Sequence, residues 1–198
     1  DDILRGSACS PTLFHTMPSH AMLMDALAQF LSSKNWKRVL ILQGDAPNDQ
    51  LLADAFAKAA AKFRLKQVDR RSFVLSNDPR IREKNNVALI TSGARVDVIF
   101  LADSVGEFGR YVPYQTQKPT LVVGSEGLHA GAWHWTWERY GAPQLNQRFD
   151  RVAKRRMTDT DYAGWAAVKT IVEAITRTSS IEPLEIKRFL VSNDMTFD

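Results

Sequence analysis

The sequence predicts an α/β fold with a doubly wound, mostly parallel sheet. Three short apolar runs rich in β-branched residues, at 38–44, 96–102 and 119–124, are typical of strands that are buried on both faces. Segments with apolar residues at helical spacing separate these runs. Strands that alternate with helices favour right-handed crossovers, so we expect helices on both faces of the sheet.

The helices and the remaining strands of the first half are predicted from their boundary residues. Ser19 precedes a segment whose apolar residues share one helical face: Leu23, Met24, Leu27, Phe30 and Leu31. A second helix is predicted over about 49–63, and residues 66–75 alternate in polarity as an edge strand does. Asp78-Pro79 is typical of a helix start, and that helix is predicted to reach about Thr91.

The rest of the chain has few strand signals. Residues 13–15 form one short strand candidate, and residues 143–155 carry a helical stripe. Thr158 to Asp161 resembles a capping box with Asp in place of the usual Glu. The helix that follows is predicted to bury four apolar residues at spacings of three and four: Trp165, Val168, Val172 and Ile175. Pro183 begins a last short helix.

Composition excludes several classes of protein. The 198 residues are 44% hydrophobic and 24% charged, which is ordinary globular composition. No apolar run approaches the ~18 residues of a membrane span. The single cysteine, Cys9, excludes an internal disulfide and a cysteine-based zinc site. A net charge of +4 is too small to indicate a dedicated nucleic-acid binder, and five basic residues within 148–156 are interpreted as a solvated helix face.

The sequence contains no recognisable catalytic, cofactor or metal motif. Residues 44–49 lie between a strand and a helix but lack the glycines of a dinucleotide site and the Lys-Ser/Thr of a phosphate loop. The four histidines lack zinc-ligand spacing. Ser19 and Ser125 do not lie in a nucleophile elbow. The sequence therefore predicts no catalytic residue, no cofactor and no metal ligand.

Ligands of open α/β sheets bind beyond the carboxyl ends of the strands, and this rule selects the candidate binding residues. They are His15, Ser19, Asp45, Asp103, Glu107 and Glu126. Two alternatives stay open for Asp103, which either contacts a ligand or caps the short helix through Phe108. The tryptophans of 133–137 either line a ligand cleft or pack a secondary-structure element against the sheet.

Several longer strings resemble one protein family: Leu4-Arg5, residues 18–22, 25–29, 107–114 and 133–146. They are similar to the periplasmic substrate-binding proteins of branched-chain-amino-acid-type ABC transporters, which have the type I periplasmic-binding-protein fold. Within this family, the strings resemble more narrowly the branch that is associated with PQQ-dependent alcohol dehydrogenase systems. Residues 161–169 resemble the Tyr-Asp-Ala helix of these proteins, with the order reversed to Asp161-Tyr162.

The resemblance implies a periplasmic, non-enzymatic protein that traps a small ligand between two hinged lobes and delivers it to a membrane permease. It implies a quinoprotein dehydrogenase system as a further partner. Complete members of the family are much longer, so residues 1–198 are expected to form the second lobe with its hinge-crossing segments, the first lobe being absent. No set of residues matches the amino-acid-binding pattern of the broader family, so the ligand is left open.

Two other classes of function fit an α/β domain of this size. A small enzyme needs a convergent nucleophile, base and oxyanion donors, which the sequence does not supply. A ligand-sensing domain of a receptor or regulator shares the fold, and an attached DNA-binding or signalling segment would favour it.

Overall fold

The computed structural model describes residues 2–76 and 78–196, apart from the side chain of Arg82. The chain divides into two compact units. We call Ser19–Ala130 the sheet unit, and Asp1–Pro18 together with Gly131–Asp198 the helical unit. No described helix is long and apolar enough to cross a membrane.

The sheet unit alternates strands and helices, as predicted. Its elements are α1 (His20–Ser33), β1 (Arg38–Gln43), α2 (Pro47–Lys62), β2 (Lys66–Ser72), α3 (Pro79–Lys84), α4 (Val87–Ile90), β3 (Val98–Ala102), a 3-10 turn (Gly109–Tyr111), α5 (Val112–Gln115) and β4 (Leu121–Gly124). The four strands are parallel and lie in the order β2-β1-β3-β4. The exposed strand β2 lies at one edge, which confirms the edge-strand prediction.

Helices cover both faces of this sheet because successive side chains of a strand point to opposite faces. On one face, Ile41 and Phe100 pack with α1 and α2, and the rings of Phe56 and Phe100 stack with centroids 3.9 Å apart. On the other face, Leu40 and Leu101 pack with residues of the connecting segments: Phe73, Val87, Phe108 and Val112. The doubly wound α/β fold is confirmed.

The helical unit contains a 3-10 turn (Ile3–Arg5) and three longer helices: α6 (Ala142–Ala153), α7 (Asp159–Thr178) and α8 (Pro183–Leu190). The capping box at the start of α7 is confirmed. The Thr158 hydroxyl accepts a hydrogen bond from the Asp161 amide, and the Asp161 carboxylate accepts one from the Thr158 amide. This unit buries few of its described apolar side chains, namely Ala142, Met157, Ala163 and Ala174.

The prediction of a buried face on α7 is wrong. Trp165, Val168 and Val172 are 39%, 65% and 52% exposed, and of the four predicted residues only Ile175 is half-buried. The buried residues of the helix are the small Ala163 and Ala174. Helical spacing identifies which face of a helix is apolar, but it does not supply the surface that covers that face. The described chain leaves most of this face open.

Two local predictions also differ from the structure. Residues 13–15 form no strand, and Leu13 and Phe14 are exposed. The helix predicted from Asp78 to Thr91 is divided into α3 and α4. The division has a physical cause, because the Asn85 side chain pairs with the backbone of Val74 and the Asn86 side chain caps α4 by accepting from the Leu89 amide.

Candidate functional site

The loops that follow β1, β3 and β4 form the candidate site, which we call the carboxyl edge: residues 44–49, 103–109 and 125–128. The strands are parallel and adjacent, so these three loops emerge at one edge of the sheet. Hydrogen bonds join them in pairs. The Ser104 amide donates to the Asp49 carboxylate at 2.6 Å, and the Asp103 amide donates to the Ser125 hydroxyl at 2.9 Å.

Asp103 shapes the loop after β3. Its side chain is 3% exposed, and the carboxylate accepts hydrogen bonds from three backbone amides of its own loop. One oxygen accepts from Val105 at 3.1 Å and from Gly106 at 2.9 Å, and the other accepts from Gly109 at 2.6 Å. Residues 103–108 form no helix, so the predicted capping of a short helix through Phe108 does not occur; Asp103 instead holds its own loop and the Gly109 amide at which the 3-10 turn begins. Contact of Asp103 with a ligand stays a prediction.

Asp49 is a second buried carboxylate at this edge, and the list of candidate residues from the sequence missed it. It lies in the first turn of α2 and is 1% exposed. Its negative charge stabilises the positive end of the dipole of α2. Its carboxylate also accepts a hydrogen bond from the Ser104 amide in the loop after β3. An acidic residue after Pro47 was a visible signal for helix capping, but the contact with Ser104 spans 55 residues of sequence.

Three glycines allow this close packing. A Cβ at Gly44 would overlap the Asp49 carboxylate, and a Cβ at Gly109 would lie 2.8 Å from a methyl carbon of Leu101. Gly124 has φ of +110°, and its Cβ would overlap the carbonyl oxygen of Leu101. At these three positions the backbone approaches its neighbours more closely than a residue with a Cβ would permit.

Glu126 lies beside this cluster. It is half-buried, and its Cγ lies 3.2 Å from the position that a Cβ of Gly109 would take, while Asp103 lies 3.0 Å from the same position. The structure thus brings two of the predicted residues, Asp103 and Glu126, close to one glycine. Phe108, in the same loop as Asp103, stacks on Phe73 with ring centroids 4.2 Å apart.

The other predicted residues lie in different surroundings. Asp45 and Glu107 are exposed on two carboxyl-edge loops. Ser19 is buried, and its hydroxyl caps α1 by accepting from the Met22 amide at 3.2 Å. His15 belongs to the helical unit and is exposed. The ligand-binding roles of all six residues stay predictions.

The carboxyl edge carries two kinds of acidic residue. The buried carboxylates of Asp49 and Asp103 hold the loops through backbone amides, whereas Asp45 and Glu107 are exposed and Glu126 is half-buried. Carboxylates of this kind accept hydrogen bonds from hydroxyl or ammonium groups. Within residues 2–76 and 78–196, no three metal-ligating side chains gather as a metal site requires.

One tryptophan of the 133–137 stretch, Trp133, packs inside the helical unit. Trp133 stacks on Tyr162 with centroids 4.7 Å apart, and Tyr162 stacks in turn on Trp165. The indole N–H of Trp133 donates to the Met157 carbonyl at 3.2 Å, and the Trp133 amide donates to Asp159. Trp135 and Trp137 are 38% and 52% exposed.

The basic residues of 148–156 are partly engaged within the protein. Arg155 makes two hydrogen bonds to Asp161, at 2.5 and 2.8 Å, and the Arg156 guanidinium lies over the Trp135 ring. The hydrogen bonds from Arg155 and then from Thr158 hold the pKa of Asp161 far below its ordinary value of 3.8. This ion pair ties α7 to the segment before it.

Scans against protein-family models and against curated proteins find no match. Solved structures do match. One is a periplasmic ligand-binding protein of a branched-chain amino acid ABC transporter from Burkholderia xenovorans, with a TM-score of 0.79 and 16% identity over all of this chain. Another is the leucine-, isoleucine-, valine-, threonine- and alanine-binding protein of Brucella ovis, with a TM-score of 0.75 and 14% identity over 96% of this chain.

A third is a solute-binding protein of an ABC transporter from R. palustris in complex with benzoate, with a TM-score of 0.69 and 13% identity over 96% of this chain. The chain spans little more than half the length of these structures, 57%, 54% and 56% of each. At such low identity the likeness concerns the fold. The chain therefore has the fold seen over about half of a type I periplasmic binding protein, as its sequence predicted.

Proposed function

We propose that the protein is the solute-binding component of an ABC import system, which traps a small ligand and delivers it to a membrane permease from the periplasm. The observation that carries this proposal is the carboxyl edge, where Asp49 and Asp103 hold two loops rigidly and leave Asp45, Glu107 and Glu126 for a ligand. The fold match to ABC transporter binding proteins supports it. Binding without catalysis requires no nucleophile or base.

We further propose that the sheet unit is the second ligand-binding lobe of such a protein and that the helical unit carries the segments that cross to the first lobe. Two observations support this. The matched structures are nearly twice as long as this chain, and α7 exposes an apolar face that another lobe would cover. Closure of two lobes on the ligand, a hinge motion, would then be the mechanism.

Native mass spectrometry of the gene product, purified from the periplasm without refolding, tests the binding role. We expect a small molecule bound at one per chain and released on denaturation. Glu126→Gln and Glu107→Gln should lower the bound fraction, whereas Glu83→Gln, an exposed glutamate of α3, should not. Leucine and benzoate, ligands named for two of the matched proteins, are the first probes for reloading. Absence of any bound molecule, with no response to either probe, would contradict the proposal.

Cysteine labelling tests separately whether another lobe covers the apolar face of α7. In a Cys9→Ser background, Val168→Cys places a thiol on the exposed face of α7, and Val152→Cys places a matched thiol on α6, where the residue is 86% exposed. We expect Val168→Cys to react with a maleimide at least ten times more slowly than Val152→Cys in the gene product. Equal rates would show that no other lobe covers α7 and would leave the proposal of ligand binding standing.

We also propose that import by this protein serves a PQQ-dependent alcohol oxidation system. Support comes from the sequence resemblance alone, in strings such as 107–114 and 133–146. A deletion strain should grow more slowly on ethanol as sole carbon source and normally on succinate. Equal growth of the deletion and parent strains on ethanol would contradict the link.

A further inference from the structure

A cavity of about 430 Å³ lies at the amino-terminal ends of β1, β3 and β4, the edge of the sheet opposite to the candidate ligand site. Its lining comes from the start of β1, from residues 94–97 before β3 and from residues 117–120 before β4. The volume falls in the range of about 300–1,000 Å³ that small-molecule sites have. We call it the amino-edge cavity.

Three cationic side chains from three separate segments line this cavity: Arg38, Arg95 and Lys118. Elsewhere in the protein, basic side chains such as Lys62, Arg70 and Arg155 pair with carboxylates. Across the described residues, none of the three cavity cations forms an ion pair. The Arg38 Nε–H donates to the Arg95 carbonyl at 2.6 Å, which holds the guanidinium beside the loop before β3.

The one acidic residue in the lining is already engaged. An oxygen of the Asp97 carboxylate accepts from the backbone amides of Lys37 and Arg38 at 3.0 and 2.9 Å, which joins β1 to the loop before β3. Thr91 is also engaged, since its hydroxyl donates to the Val87 carbonyl and accepts from the Gln117 amide. The lining therefore carries an excess of positive charge, with hydrogen-bond donors left over on Arg38, Arg95 and Lys118.

We propose that the amino-edge cavity binds the anionic group, a phosphate or a carboxylate, of a small molecule. All three cationic residues are exposed, and an anion placed among them accepts charge-assisted hydrogen bonds from their side chains. Arginine side chains suit this role because the planar guanidinium donates two parallel hydrogen bonds to an oxyanion. The site lies at the opposite end of the strands from the carboxyl edge, so it does not depend on the proposed function.

Titration of the ¹⁵N-labelled gene product with inorganic phosphate, at constant ionic strength set with sodium chloride, tests this site. We expect saturable shifts of the backbone amide signals that cluster at residues 94–97 and 117–120. A parallel titration with acetate distinguishes the two groups, since tighter binding of phosphate or of acetate assigns the site to that chemistry. Shifts that are scattered over the surface, or that do not saturate with either anion, would overturn the proposal.

A matched pair of double variants separates the site from general charge attraction. Arg95→Gln with Lys118→Gln removes two cavity charges, and Arg148→Gln with Lys58→Gln removes two exposed charges of the same kinds elsewhere. We expect the first pair to weaken phosphate binding at least tenfold and the second pair to leave it within twofold. Equal weakening in both would overturn the proposal, and the dispersion of the same spectra reports whether each variant is folded.

Discussion

The sheet unit and the helical unit have similar helical patterning but differ in what that patterning buries. In the sheet unit, α1 and α2 lie on a sheet whose central strand β3 is fully buried and whose strand β1 is buried from Val39 to Leu42, and both helices bury an apolar stripe. In the helical unit, α7 has an apolar stripe of comparable clarity, yet Trp165, Val168 and Val172 stay exposed. The spacing of apolar residues therefore identifies which face of a helix is apolar, but it does not identify the surface that covers that face.

The first test of this difference compares one aromatic residue from each unit. Phe100→Ala removes a fully buried ring stacked on Phe56 and should destabilise the sheet unit by about 3–5 kcal/mol. Trp165→Ala removes a partly exposed ring stacked on Tyr162 and should cost about 0.5–1.5 kcal/mol. Urea unfolding monitored by circular dichroism measures both. An equal cost would mean that the face of α7 is as well covered as the core of the sheet unit.

Substitution of two glycines by alanine should change the stability of the protein in opposite directions. Gly124→Ala should destabilise the protein by about 1–3 kcal/mol, because φ of +110° and the nearby Leu101 carbonyl exclude a Cβ. Gly164→Ala lies in α7, where a Cβ meets open space, and should stabilise the protein by roughly 0.5–1 kcal/mol through helix propensity. Thermal melts of the two variants give the signs directly. A stabilising Gly124→Ala would contradict the packing described for the carboxyl edge.

The anchoring of the loop after β3 predicts a smaller and more local effect. Asp103→Asn keeps the shape of the side chain but weakens its hydrogen bonds to the amides of Val105, Gly106 and Gly109, at a cost of roughly 1–2 kcal/mol. Hydrogen exchange should accelerate at those three amides. Glu83→Gln, at an exposed glutamate of α3 outside the candidate site, is the control and should leave them unchanged. Unaltered exchange in Asp103→Asn would show that other contacts hold the loop.

The ion pair of the helical unit predicts the weakest effect, because it is partly exposed. The pKa of Asp161 is lower in the folded protein than its ordinary value of 3.8. The ionised carboxylate therefore stabilises the fold above about pH 4, and this stabilisation is lost as the pH falls through the folded pKa. Below about pH 4, the free energy of unfolding of the helical unit should depend less on pH in the Asp161→Asn variant than in the Asp150→Asn variant. Identical acid profiles would contradict the assignment.

The sheet was predictable from the sequence because its signals are local. Continuous apolar runs such as 38–44 and 96–102 have one stable environment, a strand covered on both faces, and the structure confirms them. The start of α7 was predictable for the same reason, since a capping box involves four consecutive residues. The division of the 79–90 region was not recognised, because the pairing of Asn85 with Val74 links two segments.

The candidate site was less predictable because its contacts are distant in sequence. The strand-end rule selected three loops that the structure brings to one edge of the sheet, but it did not identify which of their residues hold the loops together. Asp103 holds three amides of its own loop, whereas the sequence suggested that it caps a helix through Phe108. The contact between Asp49 and Ser104, and the approach of Glu126 to Gly109, join different loops, and no spacing in the sequence encodes them.

Hydrogen exchange of the gene product, before and after removal of its bound small molecule, tests whether a ligand binds at the carboxyl edge. A ligand bound there should protect backbone amides at residues 44–49, 103–109 and 125–128, and leave β2 and α3 unchanged. Protection confined to other segments, or no protection at these three loops, would contradict the assignment of the carboxyl edge as the ligand site.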